Sequence, residues 1–382
     1  MLIKNGLIYQ PNQKFITADL LTDGNFIKDI RIGAAGSSAP GPQQTIDAEG
    51  CYVLPGLIDL HLHGCAGADF CINTAKSLHT IAAQQLQWGI TGFCPASMTL
   101  SEAQLTKIFS QAAAFTAPPT EATLLGVNME GPFVSPQKLG SQNPLFVHKP
   151  DVQLFHRLQT AAQGLIKLVD LAPELEGALD FIAELHREVR ISLAHTNATY
   201  AQAYAAFSKG ARQITHLFNA MTPFNHREPG VLGAAVDTDN ILAEIICDGI
   251  HLHPATVKLA FRLFGAEKLL LISDSMEACG LKDGNYQLGG QPVTVKGNLA
   301  TVTGTEIIAG SVTNLMDCLR WTVQTAGIPL EQAISCATAN PAKALGRYSC
   351  YGSLESGKYA DIIILDKQLQ LKHIIKHGLQ IK

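Results

Sequence analysis

Pro55-Gly56-Leu57-Ile58-Asp59-Leu60-His61-Leu62-His63-Gly64 is an apolar run that ends in two histidines two residues apart and stops at a glycine. On a strand, residues i and i+2 point to the same face, so both imidazoles leave the strand end side by side. That geometry suits gripping a metal ion from one edge of a sheet. The plainer alternative is a half-buried strand face whose histidines hold nothing, and the rest of the chain has to decide between the two.

From about 55 to 345 the chain alternates short apolar runs with Ala-rich amphipathic stretches. The runs predict strands at 57–63, 89–94, 124–130, 166–171, 190–195, 213–216, 243–248 and 268–274. The stretches at 75–88, 101–116, 174–188 and 198–209 have helical length and period. Such alternation over about 290 residues fits a (β/α)8 barrel of the TIM type. A doubly wound open sheet is the competing α/β architecture, but no G-x-G-x-x-G follows the first strand. The Gly-rich segment near 280–310 reads as a β-hairpin insertion after the eighth strand, which makes 313–326 the eighth helix.

Both ends of the chain have a different character. Runs at 2–9, 24–32 and 48–54, and again at 361–365 and 371–375, read as strands between Gly and Pro turns. The expected organisation is therefore a small β-sandwich domain from 1–54 plus 346–382, and a barrel from 55–345. With 47% hydrophobic and 16% charged residues the chain can bury a large core. A net charge of −4 without a basic run argues against nucleic acid and membrane surfaces as partners. The N-terminus lacks a signal-peptide pattern, and nine cysteines without a C-x-x-C pair fit free thiols in a reducing compartment. The expected setting is cytoplasmic.

The polar residues that end the strands carry the chemistry. They are His61 and His63 on the first, Glu130 on the third, His195 on the fifth, His216 on the sixth and Asp274 on the eighth. In a closed barrel these ends converge on one mouth, where barrels of this type do their chemistry. One strand-end histidine is usually a satisfied polar residue, whereas four imidazoles and two carboxylates at one mouth are a metal-ligand inventory.

At these residues the chain resembles the amidohydrolase superfamily and, within it, the N-acetylglucosamine-6-phosphate deacetylases. The resemblance covers nearly the whole chain. It rests on the opening stretch and on Met129-Glu130-Gly131-Pro132-Phe133, Leu171-Ala172-Pro173-Glu174, Ala194-His195-Thr196-Asn197-Ala198, Thr215-His216-Leu217-Phe218-Asn219-Ala220-Met221, His226-Arg227-Glu228-Pro229-Gly230, Asp248-Gly249-Ile250-His251 and Ser273-Asp274-Ser275-Met276. The opening stretch marks only the superfamily; the H-x-F-N-A-M and H-R-E-P-G pair is far more specific.

The resemblance implies a metal-dependent deacetylase that releases acetate from a phosphorylated amino sugar. It implies that Glu130, His195 and His216 hold the principal divalent metal and that His61 and His63 add a second, with Glu130 as the bridge. Zinc is expected first, with iron or manganese as alternatives, one or two ions per chain. Asp274 matches the general base, His251 a residue that orients or polarises the amide, and Arg227 the phosphate ligand. Asn219 and Ala220 match backbone contacts to the sugar phosphate, and Ile308, Ala309 and Gly310 a loop lining the sugar. In the resembled family the arginine reaches across a homodimer. This chain departs from some relatives in carrying Gln142, within Ser141-Gln142-Asn143-Pro144, where they have a histidine; an amide can hydrogen-bond but carries no charge.

Plainer roles stand beside these. Asp274 could cap the following turn, Arg227 could be an ordinary surface cation, and His251 and His253 could be solvated loop residues. His148, His156, His186, His373 and His377 read as structural, and Cys65 and Cys71 have no task if metal activates water. Competing activities are deacetylation of the galactosamine epimer, another amidohydrolase such as a dihydropyrimidinase-like cyclic amidase or a dipeptidase-like enzyme, and an inactive scaffold.

Overall fold

The computed structural model describes residues 1–32 and 44–382; the part of the expected small domain at 33–43 lies outside the described residues. Eight parallel strands form a closed ring: β1 (Leu57–Leu62), β2 (Ile90–Pro95), β3 (Val127–Glu130), β4 (Ile166–Leu171), β5 (Arg190–Leu193), β6 (Gln213–Ile214), β7 (Leu242–Ile246) and β8 (Leu269–Ile272). Neighbours pair in parallel around the ring. A bridge between Ala96 and Asn128 joins the β2 and β3 sides. The seam between β8 and β1 is closed by the Asp274 amide, which donates to the His61 carbonyl at 2.9 Å, and by the His63 amide, which donates to the Ser275 carbonyl at 2.7 Å.

Each strand is followed by a helix, which is what a right-handed β-α-β wrap of a parallel sheet requires. The helices at Thr74–Gln87, Glu102–Ala113, Ala178–Leu185 and Tyr200–Lys209 fall where the apolar period put them. Their starts are written locally. Ser101 with Gln104, and Thr199 with Gln202, form reciprocal capping boxes that satisfy orphan N–H groups of the first turn. Helices at Val152–Ala161, Gly230–Val236 and Pro254–Phe264, whose positions the sequence reading did not give, complete the shell with Leu315–Gln324.

One expectation needs correction. The segment after β8 is a three-stranded antiparallel sheet, Gly284–Leu288, Gln291–Lys296 and Leu299–Val302, rather than a hairpin. Two successive two-residue turns, at 289–290 and 297–298, each fold the chain back once, and both begin with a glycine at positive φ.

The terminal strands form one continuous mixed sheet in the order Leu379–Gln380, Leu371–Lys376, Ile362–Leu365, Tyr52–Pro55, Leu2–Tyr9, Phe15–Asp23 and Phe26–Arg31, with Thr45–Asp47 beside Leu2–Tyr9. Phe15–Asp23 was not anticipated. The sheet's far edge returns towards its middle, since Phe26 bridges to Tyr359. Ile3, Ile8, Leu20, Ile27, Val53, Ile362 and Ile375 are buried together in the space this encloses.

The barrel interior is layered. Ile58, Leu60, Leu168, Ile246, Leu270 and Ile272 form an apolar floor, closed from below by Ala342, Ala344 and Leu345 around the last helix, Ala339–Ala344. Above it lies a buried polar layer, and above that the strand ends.

Candidate metal centre and substrate pocket

His61, His63, Glu130, His195, His216 and Asp274 are all brought together at the C-terminal end of the ring, and all are buried. Glu130 stands between two histidine pairs. Its Oε1 lies 2.9 Å from His195 Nε2 and 3.2 Å from His216 Nε2. Its Oε2 lies 3.3 Å from His63 Nε2 and 3.7 Å from His61 Nε2. Asp274 Oδ1 is 3.2 Å from His63 Nε2 and 3.7 Å from His61 Nε2.

The other ring nitrogen of each histidine is held by an acceptor. His61 Nδ1 donates to Glu244 Oε2 at 3.0 Å, His63 Nδ1 to the Ala96 carbonyl at 3.1 Å, His195 Nδ1 to the Lys138 carbonyl at 3.0 Å and His216 Nδ1 to the Asn219 carbonyl at 3.2 Å. With the proton fixed on Nδ1, every Nε2 turns a lone pair towards a carboxylate oxygen or another imidazole. Acceptor facing acceptor at such distances needs a cation between them. His61 Nε2, Glu130 Oε2 and Asp274 Oδ1 are indeed buried without a hydrogen-bond partner. Two donors each about 2.0–2.1 Å from a tetrahedral ion stand roughly 3.3 Å apart, which matches the separations in the cluster. The donor set therefore fits a divalent metal, and its two halves fit two.

The electrostatics agree. Burial acts against ionisation of Glu130, yet positive charge on His61 and the closeness of His195 and His216 hold it well below the usual carboxylate range. Burial also opposes ionisation of Asp274, but the adjoining His63 and the His61 charge bring it below its ordinary value. Burial pulls the imidazoles down, but Glu244 and Glu130 raise His61, Asp274 and Glu130 raise His63, and Glu130 raises His195. Carboxylates that draw protons onto their neighbours are carboxylates that attract positive charge, and a metal ion satisfies the same demand.

Local backbone conformation aims three of these side chains. His195 (φ 44°), His216 (φ 31°) and Asp274 (φ 47°) adopt left-handed conformations that non-glycine residues avoid. Gly131, just after Glu130, has φ +80°, and a Cβ there would stand 2.2 Å from Thr99 Oγ1. Only glycine lets the chain turn away from Glu130 at that point.

The cluster floors a cavity of about 570 Å³. His251 lines it and donates from Nδ1 to Asp248 Oδ2 at 2.7 Å. Burial lowers the His251 pKa, but this hydrogen bond and the charge of Asp248 raise it overall. Gln142, Asn219, Ala220, Ile308 and Gly310 line the same cavity. Gln142 Oε1 is taken by the Thr99 amide at 2.7 Å, and Ala309 is buried behind the wall, its amide bound to the Ala300 carbonyl. Arg227 is not brought to this pocket. It is exposed in the loop after β6, and its amide donates to Asn225 Oδ1 at 3.0 Å.

Sequence reasoning missed the lip and the underlayer. Residues 136–141 all line the cavity, and the Lys138 carbonyl orients His195. Below the cluster, Glu244 takes His61 Nδ1 through Oε2 and Gln213 Nε2 through Oε1, the latter at 2.6 Å. Asp170 accepts from Thr215 Oγ1 at 2.8 Å and from Asn128 Nδ2 at 3.1 Å. The available signal was a carboxylate inside an apolar strand, as in Leu242-Ala243-Glu244-Ile245-Ile246.

A model of the amidohydrolase family matches residues 52–379. The N-acetylglucosamine-6-phosphate deacetylase of Bacillus subtilis (strain 168) is 39% identical over 332 residues, 85% of this chain and 83% of the relative. An N-acetylgalactosamine-6-phosphate deacetylase of Escherichia coli O157:H7 is 33% identical over 367 residues, 94% of this chain and 96% of the relative. The crystal structure of N-acetyl-D-glucosamine-6-phosphate deacetylase from Mycobacterium smegmatis superposes with a TM-score of 0.92 at 31% identity, covering 100% of both chains. Among the described residues, no helix is long and apolar enough to cross a membrane.

Proposed function

This chain belongs to the amidohydrolase family, and on that footing we propose that it hydrolyses the acetamide of N-acetyl-D-glucosamine 6-phosphate to D-glucosamine 6-phosphate and acetate. The observation that carries this reading is the Glu130 carboxylate set between two histidine pairs, with Asp274 beside it, on the floor of a pocket of small-ligand size. Residues 55–345 form the catalytic barrel in this reading, and 1–54 with 346–382 the accessory sheet domain.

Glu130, His195 and His216 would hold the first metal, and His61 and His63 with Glu130 the second. We take zinc as the first choice, with iron or manganese as alternatives, from the His/Glu donor set. When bound, a divalent metal lowers the pKa of a water from about 15.7 towards 7 and polarises a carbonyl oxygen. Asp274, ionised in the site, accepts the proton of the attacking water on its carboxylate and returns it to the departing amine nitrogen. His251, oriented by Asp248, uses its other ring nitrogen to polarise the amide oxygen. Asn219, Ala220, Ile308, Ala309 and Gly310 frame the sugar phosphate, and Gln142 fixes the lip through Thr99 rather than meeting the substrate as a charge.

Arg227 serves the phosphate from the neighbouring subunit of a homodimer. Its exposure and its absence from its own chain's pocket lining support this assignment, and a guanidinium binds phosphate bidentately. A cytoplasmic setting belongs to the same proposal and is supported by the free thiols.

The test is acetate release from N-acetylglucosamine and N-acetylgalactosamine, each with and without the 6-phosphate. The phosphorylated glucosamine derivative should be the best substrate. Faster release from an unphosphorylated sugar, or none from either phosphate, would overturn the reading. Preference for the galactosamine epimer would move the assignment to that substrate.

A further inference from the structure

At the other end of the barrel a second cavity, about 310 Å³, is lined by Lys167, Arg187, Arg190, Arg212 and Lys343. Glu188 is the single carboxylate among its described lining residues, and it lies 4.0 Å from His156. Several of the cations are tethered to carbonyl groups and not to acids. Arg190 Nε donates to the Ala344 carbonyl at 3.0 Å, Arg212 NH1 to the Phe207 and Ala211 carbonyls at 2.7 Å, and Lys167 Nζ to the Gly164 carbonyl at 2.7 Å. None of the five makes an ion pair among the described residues. Burial first, and a nearby guanidinium second, lower two of them: Arg212 adds to the effect on Arg190, and Arg347, outside the cavity lining, to that on Lys167.

Five cations against one carboxylate in one concavity is an uneven use of charge in a chain whose net charge is −4. We propose that this cleft is a second anion site that binds a small phosphorylated anion. Guanidinium groups held by one edge keep other N–H groups available for a bidentate oxyanion. The site is concave and of small-ligand volume, and the negative charge of the whole chain disfavours a long polyanion. It shares no lining residue with the catalytic pocket.

Its position gives it a role. Lys167 lies in β4, Arg190 opens β5 and Arg212 immediately precedes β6. The far ends of β5 and β6 lead to His195 and His216; at ~3.3 Å per residue, Arg190 and His195 are roughly 16 Å apart. An anion here relieves the mutual repulsion of the cations where these strands begin and so stabilises the barrel from below.

The experiment uses the full-length, metal-loaded enzyme and inorganic phosphate as the probe, with chloride at matched ionic strength. Phosphate at tenfold its Kd should raise Tm by on the order of 2–3 °C. The double variant Arg187→Glu with Lys343→Glu changes two exposed residues remote from the catalytic pocket. It should keep kcat, lose the shift, and bind phosphate at least ~10-fold more weakly by calorimetry. Asp274→Asn and Arg227→Ala, which alter the catalytic site, should keep the shift. The proposal falls if the double variant responds like the parent, or if Arg227→Ala abolishes the response. Binding of RNA or heparin without any response to phosphate would also overturn it. Glycerol 3-phosphate as a second probe separates the sources: tighter binding than phosphate supports an organic phosphate, and equal or weaker binding supports inorganic phosphate.

Discussion

Glu244→Gln isolates the layer beneath the metal cluster. The carboxylate is fully buried, accepting His61 Nδ1 at 3.0 Å and the His216 amide at 3.3 Å on Oε2, and Gln213 Nε2 at 2.6 Å on Oε1. The amide has nearly the same shape but exchanges an acceptor for a donor and removes the charge. If the new NH2 faces His61, the ring must move its proton to Nε2, the nitrogen aimed at Glu130. If it faces Gln213, that side chain can flip, because Gln213 Oε1 is buried without a partner; His61 then keeps only a neutral hydrogen bond. A charge-assisted bond contributes about 1.5–3 kcal/mol and a neutral one about 1 kcal/mol. Loss of an outer-shell partner of this kind lowers metal affinity about 10–100-fold, or roughly 1.4–2.7 kcal/mol. The His195 side should weaken by less than about threefold, because it meets Glu244 only through the long contact of the His216 amide. Titration against a chelating indicator resolves two equivalents if both sites fill. The His61/His63 equivalent should weaken alone, with the circular dichroism spectrum unchanged. Unchanged affinity for both equivalents, or loss confined to the Glu130–His195–His216 equivalent, would refute the reasoning.

The other predictions address the cluster, the base, the dimer and the underlayer. Asp274→Asn should lower kcat by at least ~10² while largely keeping substrate binding; turnover near that of the parent would remove Asp274 from its role. Replacing His61 and His63 together by Asn should lower the metal count by elemental analysis and leave the Glu130–His195–His216 site filled. Arg227→Ala and Asp274→Asn, each inactive alone, should recover about a quarter of the parental activity when co-expressed, because half of randomly assorted dimers hold one intact site of two. No recovery from verified mixed dimers would return Arg227 to its own chain or to no role. For Asp170, burial and then Glu244 push the carboxyl up to about 8. The folded state therefore keeps a proton that the unfolded chain releases near pH 4, so this group's contribution to stability falls as pH rises from about 4 to 8. Asp170→Asn should gain stability relative to the parent across that window in urea titrations of metal-depleted protein, and an equal difference at pH 5 and pH 8 would contradict this.

Much of the site was legible because strand-end polar residues interrupt apolar runs, as His61, Glu130, His195, His216 and Asp274 all do. Residues 166–171 were read as a strand and form one, Ile166–Leu171, since the apolar Ile166, Leu168, Val169 and Leu171 are buried in it despite Lys167 and Asp170 between them. Glu244 carried a signal, a carboxylate inside an apolar run, but its role was not legible, because its partners Gln213 and His61 come from other strands. The left-handed backbone at His195, His216 and Asp274 was equally hidden, since tertiary packing imposes it against the residues' own preference. Gly230–Val236 escaped because its Gly-rich sequence disfavours a helix until packing supports one.

The seam between β8 and β1 also sets an order of events during synthesis. The Ser273 amide reaches Asp59 across 214 residues of chain. At about 5–20 residues per second, His61 and His63 emerge roughly 10–40 s before the residues that complete their cage. During that interval the first strands form an arc with two open edges, and the early histidine pair is half a chelator. The ligands Glu130, His195 and His216 are all in place once β6 has emerged, whereas the His61 and His63 half gains Asp274 only when the ring closes. Assembly of the two halves is therefore staggered along the chain, and the second half and the closed ring become a single late step.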